Sequence, residues 1–263
     1  MTEENKDEKS LIAFNTGTLD RVDNSVNTTN KLLVKNVGER VSNTIQKGKL
    51  KWKFKTEDKV HSSPIIMDGV VYFGSTDTYF YALDSNLGSL IWKFKTEGIV
   101  HSMPGIKDGV VYFGSLDCNL YALDCQSGQI KWLFITEKLI TGSPTIIDGV
   151  VYIGSADKYL YALDCHTSLL KWKFKTADTN WESLTGNKNW QFISESSILS
   201  STIVIDGVVY FGSTDTYLYA VDCQAGQLKW KFKTENGVYS SPSILDGVIY
   251  FGSTDTYLYA VYI

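Results

Sequence analysis

The sequence predicts an all-β protein, folded as a single five-bladed β-propeller of four-stranded antiparallel blades. Three observations lead to this prediction. An Asp-Gly pair recurs five times between β-rich runs, and no segment shows the 3.6-residue apolar period of an amphipathic helix. Tryptophans recur 40 residues apart and then once after 58, at Trp52, Trp92, Trp132, Trp172 and Trp230. A repeat of about 40 residues without helical periodicity is typical of a propeller blade.

The first complete repeat, residues 60–95, contains four runs of strand-forming residues. Asp68-Gly69 separates the first two runs, and both residues of this pair tolerate the positive φ of a tight hairpin turn. A polar turn around Asp77 and another over residues 84–88 separate the later runs. The Asp-Gly turn recurs at Asp108-Gly109, Asp148-Gly149, Asp206-Gly207 and Asp246-Gly247. Each repeat therefore predicts four short strands joined by hairpins.

The outermost predicted strand of a blade alternates lysine with aromatic residues. Residues 51–55, 171–175 and 229–233 all read Lys-Trp-Lys-Phe-Lys. Because successive side chains of a strand point to opposite faces, the aromatic residues pack inward and the lysines line the rim. Charge at that rim discourages pairing with the strand of another molecule.

The first and last repeats are incomplete in complementary ways. The last repeat reaches only its third predicted strand, and residues 48–52 supply an outer strand without inner strands of its own. We therefore expect this N-terminal strand to complete the last blade and close the ring. An alternative is that residues 30–44, which contain Leu32-Leu33-Val34, form a degenerate extra blade.

The turn before the outer strand follows the pattern A-x-D-x-x-x-G-x-x-x-W. Ala82, Asp84, Gly88 and Trp92 fit it, and the repeats beginning at Ala122 and Ala220 fit it as well. This pattern resembles the tryptophan-docking repeat of the pyrroloquinoline-quinone-like (PQQ-like) propellers, over residues 48–263. Two copies depart from it: Ser168 replaces the glycine in the third unit, and the fifth motif is split between Ala260 at one end and Gly48 and Trp52 at the other.

The PQQ-like family includes quinoprotein alcohol dehydrogenases, an outer-membrane barrel-assembly lipoprotein and many non-enzymatic repeat proteins. The resemblance to the dehydrogenases implies eight blades, a bound calcium, an acidic catalytic pair and a disulfide between adjacent cysteines. This sequence has no Cys-Cys pair and only five repeats. We therefore expect a non-enzymatic member of the family, with no catalytic residue, no cofactor and no metal.

Aspartates at one repeat position could suggest a carboxylate cluster. They are Asp77, Asp117, Asp157, Asp215 and Asp255. An aspartate in such a turn usually accepts hydrogen bonds from its own backbone. We therefore interpret them as turn residues rather than as catalytic groups.

Composition separates an N-terminal extension from the repeats. Residues 1–46 begin with the charged run MTEENKDEKS and continue into an Asn/Thr/Ser-rich stretch, which predicts a disordered or irregular extension ahead of a propeller spanning residues 47–263. The extension shows no hydrophobic segment and no lipobox cysteine, so we expect a soluble, cytoplasmic protein without a membrane anchor. A barrel-assembly role requires export and is therefore disfavoured.

The cysteines agree with a reducing compartment. Cys125, Cys165 and Cys223 share one repeat position, on blades too far apart to bridge, and Cys118 stands in another turn. The sequence contains no C-x-x-C spacing that would suggest a metal site. Free thiols are therefore expected.

The largest difference between repeats is an insertion between Trp172 and Trp230. It adds 18 residues (58 minus 40) and gives an inserted loop over residues 177–198. The loop is polar but contains Trp181, Trp190 and Phe192, and aromatic residues are enriched at binding hot spots. These residues are candidates for binding a partner; alternatively, the two tryptophans fold back and cap the blade.

A second difference lies at the start of each inner strand. The equivalent positions are His61, His101, Thr141, Leu199 and Tyr239. In a closed ring, Tyr239, His61 and His101 stand on consecutive blades and form an arc at the channel mouth. Two histidines and a tyrosine can bind a metal, an anion or a ligand carboxylate, but ordinary variation at a solvent-lined position is the favoured interpretation, because no further carboxylate or histidine ligand lies at the same level.

A third difference is the outer strand of the second complete repeat. Leu133 and Ile135 stand where the other outer strands have lysines. An apolar rim strand is a candidate docking edge for a strand of another chain, unless the N-terminal extension covers it. The lysine rim does not indicate nucleic-acid binding, because the net charge is −4 and the arginines are only Arg21 and Arg40.

These observations predict a non-catalytic propeller scaffold that binds a protein or peptide through the face carrying the 177–198 loop. The alternative is a small-molecule or metal-binding module at the channel mouth, as a reduced relative of the quinoprotein dehydrogenases. The sequence does not identify the partner or the oligomeric state.

Overall fold

A computed structural model of the chain describes residues 48–176 and 197–263. These residues are all-β: they form nineteen strands in five antiparallel sheets. The sheets belong to one compact unit, Leu50–Ile263. The described residues include no helix with the length and apolarity needed to cross a membrane.

The sheets follow one another along the chain, and each meanders from its first strand to its last. Sheet 1 contains β1 (Ile65–Met67), β2 (Val70–Gly74), β3 (Tyr79–Asp84) and β4 (Leu90–Lys95). Sheet 2 contains β5 (Gly105–Lys107), β6 (Val110–Gly114), β7 (Asn119–Asp124) and β8 (Ile130–Ile135). Sheet 3 contains β9 (Thr145–Ile147), β10 (Val150–Gly154), β11 (Tyr159–Asp164) and β12 (Leu170–Lys175).

The last two sheets differ in strand number. Sheet 4 contains β13 (Ile203–Ile205), β14 (Val208–Gly212), β15 (Tyr217–Asp222) and β16 (Leu228–Lys233). Within the described part of the chain, sheet 5 contains only β17 (Ser243–Leu245), β18 (Val248–Gly252) and β19 (Leu258–Tyr262).

The first hairpin of each sheet has the turn that the Asp-Gly pair predicts. In sheet 1, Ile65 pairs with Tyr72 and Met67 with Val70 across the turn. Asp68 and Gly69 have φ of 49° and 78°, the left-handed values required by a two-residue turn whose twist matches its strands. The same turn geometry in all five sheets gives them a common register.

The core lies between neighbouring sheets. Phe80 of sheet 1 stacks on Phe113 of sheet 2, with ring centroids 4.0 Å apart. Tyr152 and Leu160 of sheet 3 belong to one cluster with Phe211 of sheet 4. In a sheet with a neighbouring sheet on each side, the second and third strands are therefore covered on both faces. This explains why the sequences of these strands are apolar without strict alternation.

The structure differs from the predicted closed ring at both ends. Among the described residues, no strand pairs with the outer edge of β19, and residues 48–56 carry no strand. Leu258 on β19 is 77% exposed, whereas the equivalent Leu160 on β11 is fully buried. The predicted ring of five blades closed by an N-terminal strand is not present here.

The N-terminal segment lies instead against sheet 1. Trp52 Nε1 donates to the Ser85 carbonyl at 3.0 Å, and the Glu57 amide donates to Asp77 Oδ2 at 3.0 Å. Trp92 and Glu97 make the equivalent contacts with sheet 2. The segment thus occupies the place of an outer strand preceding sheet 1, but β19 does not lie beside it. The alternative extra blade over residues 30–44 lies outside the described residues.

Candidate functional site

The recurring tryptophans join each sheet to the next. Trp92 Nε1 donates to the Cys125 carbonyl at 2.9 Å, and a Cβ added to Gly128 would lie 2.6 Å from the Trp92 indole. The indole therefore lies directly on the glycine of the following turn. Equivalent contacts join Trp52 to Ser85, Trp132 to Cys165 and Trp172 to Cys223. These residues hold the sheets together and are not free to bind a ligand.

The repeated aspartates are also occupied by structural bonds. Asp77 accepts from the Tyr79 amide at 3.0 Å, the Tyr81 hydroxyl at 2.7 Å and the Glu57 amide at 3.0 Å. The last bond reaches the segment that precedes sheet 1, so the carboxylate fixes its own turn and also links neighbouring units. The same three bonds recur at Asp117, Asp157 and Asp255. The sequence interpretation of these aspartates as turn residues agrees with this geometry.

The tyrosine hydroxyls that donate to these aspartates have raised pKa values, which fits the same structural role. Burial, followed by the hydrogen bond to Asp157, raises the pKa of the Tyr161 hydroxyl well above its ordinary value. At Tyr259, the hydrogen bond to Asp255 raises the pKa to about 12. A phenol held in its neutral form beside a carboxylate acts as a hydrogen-bond donor rather than as a base.

The described residues do not fit the calcium and quinone site of the dehydrogenases. Within residues 48–176 and 197–263, no group of three or more histidine, cysteine, aspartate or glutamate side chains could hold a metal ion. The four cysteines are free, and no two are adjacent in the sequence. The aspartate oxygens that recur around the fold are directed into turns and are not gathered at one point.

The inserted loop is anchored on one face of the fold. The Thr176 amide donates to the Lys158 carbonyl at 3.0 Å, and the Ile198 amide donates to the Ser155 carbonyl at 3.1 Å. Both acceptors belong to the turn between β10 and β11. Elsewhere the same connection is a tight turn closed by a threonine hydroxyl, as from Thr96 to the Gly98 carbonyl at 2.6 Å. The candidate binding residues of the loop, Trp181, Trp190 and Phe192, lie outside the described residues.

The structure brings together two of the three residues predicted at the channel mouth. The His61 and His101 rings stack with centroids 5.3 Å apart and an interplanar angle of 16°. His101 Nε2 is buried without a hydrogen-bond partner among the described residues. Burial, and then the charge of His61, lowers the pKa of His101.

Tyr239 does not join the histidine pair. It is 37% exposed, and among the described aromatic contacts no ring contact links it to His61 or His101. Its ring lies against Gly237 of its own sheet instead. The predicted arc required sheets 5 and 1 to be neighbours, and the unclosed ring separates them.

A serine ladder along the inner strands was not predicted. The Met103 amide donates to Ser143 Oγ at 3.0 Å, the Ser143 amide to Ser201 Oγ at 3.1 Å, and the Ser201 amide to Ser241 Oγ at 3.0 Å. Each bond joins one sheet to the next. The sequence does show a serine that recurs two residues after the positions equivalent to His61. Its hydrogen bond to the next sheet could not be predicted, because that bond depends on the distance between sheets.

The sequence also did not predict a cleft that lies between sheets 3 and 4. Its volume is about 480 Å³, and it opens beside the Asp-Gly turns, at the opposite end of the strands from the inserted loop. Val204 and Tyr152 form part of its wall, and Asp148, Asp206 and Lys171 line it as well. No sequence signal marked it, because every sheet carries similar residues at these positions.

The apolar outer strand of sheet 2 is exposed, as its sequence suggested. Leu133 is 40% exposed and Ile135 is 69% exposed. In sheets 1, 3 and 4 the residue equivalent to Leu133 is a lysine whose Nζ lies over a tyrosine ring at 4.0–4.2 Å. In sheet 2, Asn119 replaces that tyrosine. Both members of the cation–π pair are therefore changed together.

Repeated four-stranded antiparallel sheets, each connected to the next by a tryptophan, define a propeller-like protein built from PQQ-like repeats. The chain belongs to the family described as outer membrane protein assembly factor BamB, whose profile matches residues 14–99, 77–183 and 179–262. No curated protein matches the chain.

Solved structures with the same fold include, by name, BamB and two alcohol dehydrogenases. BamB from Moraxella catarrhalis superposes with a TM-score of 0.67 at 21% identity, covering 81% of this chain and 61% of that one. The quinohemoprotein alcohol dehydrogenase ADHIIG from Pseudomonas putida HK5 gives 0.63 at 21% identity, covering 80% and 41%. The quinohemoprotein alcohol dehydrogenase of Comamonas testosteroni gives 0.62 at 19%, covering 78% and 41%. The chain thus spans less than two thirds of each of these structures.

Proposed function

We propose that this protein is a non-catalytic propeller scaffold that binds a protein or peptide partner through the face carrying the 177–198 loop. The observation that carries this proposal is the anchoring of the insertion. Thr176 and Ile198 are both hydrogen-bonded to the turn between β10 and β11, so the chain leaves and re-enters the fold on one face. An insertion held at both ends by a rigid scaffold is a common way to present binding residues.

The proposal assigns the recurring residues to structure and the inserted ones to function. The aspartates, tyrosines and tryptophans shared by the repeats bond to neighbouring turns and sheets. Trp181, Trp190 and Phe192 have no counterpart in the other repeats. The family description, an assembly factor, is compatible with a protein that acts by contacting other proteins. On this reading the chain is a non-enzymatic, tryptophan-docking member of its family.

Excision of the insertion tests the proposal. Deleting residues 178–195 removes 18 residues and restores the spacing of the other connections, in which Thr96 precedes Val100 by four residues. We expect the deletion variant to keep the melting temperature of the parent and to lose the partner captured by the full chain in a pull-down. The double variant Trp181→Ala/Trp190→Ala should show the same loss without shortening the chain.

The control is placed on the same face, in a connection without an insertion. Glu137→Ala changes an exposed side chain in the turn after sheet 2 and should leave capture unchanged. If the excision variant and the tryptophan variant are both folded and retain the partner, the loop face is not the binding surface.

A second function is favoured by the stacked histidines. We propose, as the alternative, a small-molecule or metal site at the mouth of the inner strands, where His101 Nε2 is buried without a hydrogen-bond partner among the described residues and His61 stacks on the ring. Zn²⁺, which accepts imidazole ligands, or a small carboxylate such as acetate, each added separately, should then raise the melting temperature of the parent but not of His61→Ala/His101→Ala. An unchanged melting temperature with every addition contradicts this alternative.

We also propose that the protein works in the cytoplasm, with protein rather than nucleic acid or membrane as its partner. The four free cysteines support a reducing compartment. The net charge of −4 opposes phosphate binding. Fractionation of cells expressing the tagged chain, with thiol alkylation before lysis, tests the location directly.

A further inference from the structure

We propose that a second copy of this chain docks on the outer edge of β8, so that the two sheets join as antiparallel neighbours across a two-fold axis. This interaction uses a different surface from the loop face and does not depend on the function proposed above. Every other backbone N–H and C=O of an edge strand points outward, and such groups are a template for pairing with another strand.

β8 is the last strand of sheet 2 in the order β5-β6-β7-β8, and its rim is apolar. Leu133 and Ile135 project from the exposed face, while Trp132 and Phe134 alternate with them toward the core. Ile130, at the start of the strand, is exposed as well. An exposed edge strand with several large apolar residues is unusual unless another surface covers it.

The outer strands β4, β12 and β16 are protected against such pairing. Lys93, Lys173 and Lys231 stand at the position of Leu133, each over a tyrosine ring of its own sheet. Lysine at an edge is a common device against pairing between molecules. Of its three exposed outer positions, β8 keeps a lysine only at Lys131, and sheet 2 lacks the tyrosine that would hold a lysine at position 133.

Charge explains why β8 can pair with its own copy. In an antiparallel pair centred on Leu133, this residue faces Leu133 of the second copy, and Ile135 faces Lys131 of the second copy. Lys131 is held by Asp124 at 3.3 Å, so its aliphatic stem can cover the isoleucine. The same pairing of β12 would place Lys173 against Lys173, and like charges directly opposite each other are destabilising.

A second copy is a better occupant than a free peptide for an entropic reason. A free peptide must lose the conformational freedom of every backbone residue before it forms a strand. β8 of another copy is already ordered within its own sheet. The patch is also self-complementary, which is the requirement of an interface between two identical surfaces related by a two-fold axis.

Sedimentation velocity over a concentration series tests the pairing. We expect the full chain to shift from monomer to dimer as its concentration rises, and Leu133→Lys/Ile135→Lys to remain monomeric. Because lysines occupy these positions in three other sheets, the variant should keep the melting temperature of the parent. As a control, Leu87→Lys/Leu169→Lys replaces two exposed leucines in turns and should dimerise like the parent.

A cysteine on the proposed axis tests the register. Leu133→Cys should form a covalent dimer on mild oxidation, because residues directly opposite in an antiparallel pair have Cβ atoms about 4.5–5.5 Å apart. Lys173→Cys, at the equivalent position of β12, should not, and neither should the parent with its native cysteines.

Three outcomes would overturn the proposal. The first is a parent chain that stays monomeric at every concentration, and the second is a Leu133→Lys/Ile135→Lys variant that dimerises as strongly as the parent. The third is a monomeric parent that captures an added extended apolar peptide through β8, which would assign this edge to a different chain.

Discussion

At the scale of single residues, the glycine in the turn before an outer strand meets two requirements: a positive φ and space for the indole of a neighbouring tryptophan. Gly128 has a φ of 69°, and its missing Cβ leaves room for the Trp92 indole. Ser168 occupies the same position in sheet 3 with a φ of 59°, and Trp132 still reaches the Cys165 carbonyl there. A side chain is therefore tolerated at this position, at the cost of left-handed backbone strain.

Alanine substitution separates these two costs. Gly109 has a φ of 72°, and no atom of the described residues lies within 4 Å of an added Cβ, so Gly109→Ala should lower the free energy of unfolding by about 1 kcal/mol from strain alone. Gly128→Ala should cost about 1–3 kcal/mol more, because the methyl group also meets the Trp92 indole. Urea denaturation of both variants measures the difference. Equal losses would show that the indole moves aside without cost.

The turn aspartates give the protein a defined sensitivity to acid. Hydrogen bonds from the Thr167 hydroxyl and nearby amides lower the pKa of Asp164 to about 2, from an ordinary 3.8. A carboxyl group with a lowered pKa stabilises the fold fully above its unfolded value, and this contribution is lost as the pH falls through its folded value. The loss therefore falls between about pH 4 and pH 2.

Replacing Asp164 by asparagine removes the ionisation but keeps an acceptor oxygen in the turn. We expect Asp164→Asn to be less stable than the parent at neutral pH and to lose less stability on acidification to pH 2. Thermal melts at several pH values measure this. Asp148→Asn, in an Asp-Gly turn, is the control, and parallel curves for parent and Asp164→Asn would contradict the assignment.

At the scale of elements, the sequence predicts the strands well because their signals are local. The Asp-Gly turns, the lysine-aromatic alternation and the apolar central strands each depend on a few neighbouring residues. The sheets of the structure follow these signals closely. Strand pairing at the two ends of the row of sheets is less predictable. Whether β19 pairs with residues 48–56 depends on the angles between successive sheets, which neither segment specifies.

The recurring tryptophans should also contribute unequally to the stability of the fold, because their surroundings differ. Trp132 is 9% exposed, packs in the cluster between sheets 2 and 3, and donates to the Cys165 carbonyl. Trp230 packs on sheet 5, and among the described residues its indole N–H has no hydrogen bond. We expect Trp132→Ala to cost about 3–5 kcal/mol and Trp230→Ala clearly less. Denaturant titration followed by circular dichroism checks this, and equal losses would indicate that Trp230 is covered as well.

At the scale of the whole molecule, stability should decrease toward the last sheet. Leu258 and Tyr262 on β19 are exposed, and no described strand pairs with the outer edge of β19. We expect backbone amides of β18 and β19 to be at least about tenfold less protected from hydrogen exchange than those of β10 and β11. Equal protection would instead show that sheet 5 is covered, as the N-terminal closing strand of the sequence prediction requires.

The candidate sites illustrate the same limit on prediction. The stacking of His61 and His101 followed from their equal repeat positions on adjacent sheets, but the contact of Tyr239 with them required a closed ring. The serine ladder and the cleft between sheets 3 and 4 arise only where two sheets meet. Trp181, Trp190 and Phe192 remain predictions from the sequence.

The sequence by itself determined the repeat, the strand order within each sheet and the residues that differ between repeats. These properties depend on local turn chemistry and on the two-residue period of a strand. Only the tertiary structure decided how the sheets meet: that an indole lies on the next glycine, that the aspartates link neighbouring units, and that the ring is not closed by residues 48–56. The physical reason is that small angles between successive sheets add along the chain, and no single repeat specifies their sum.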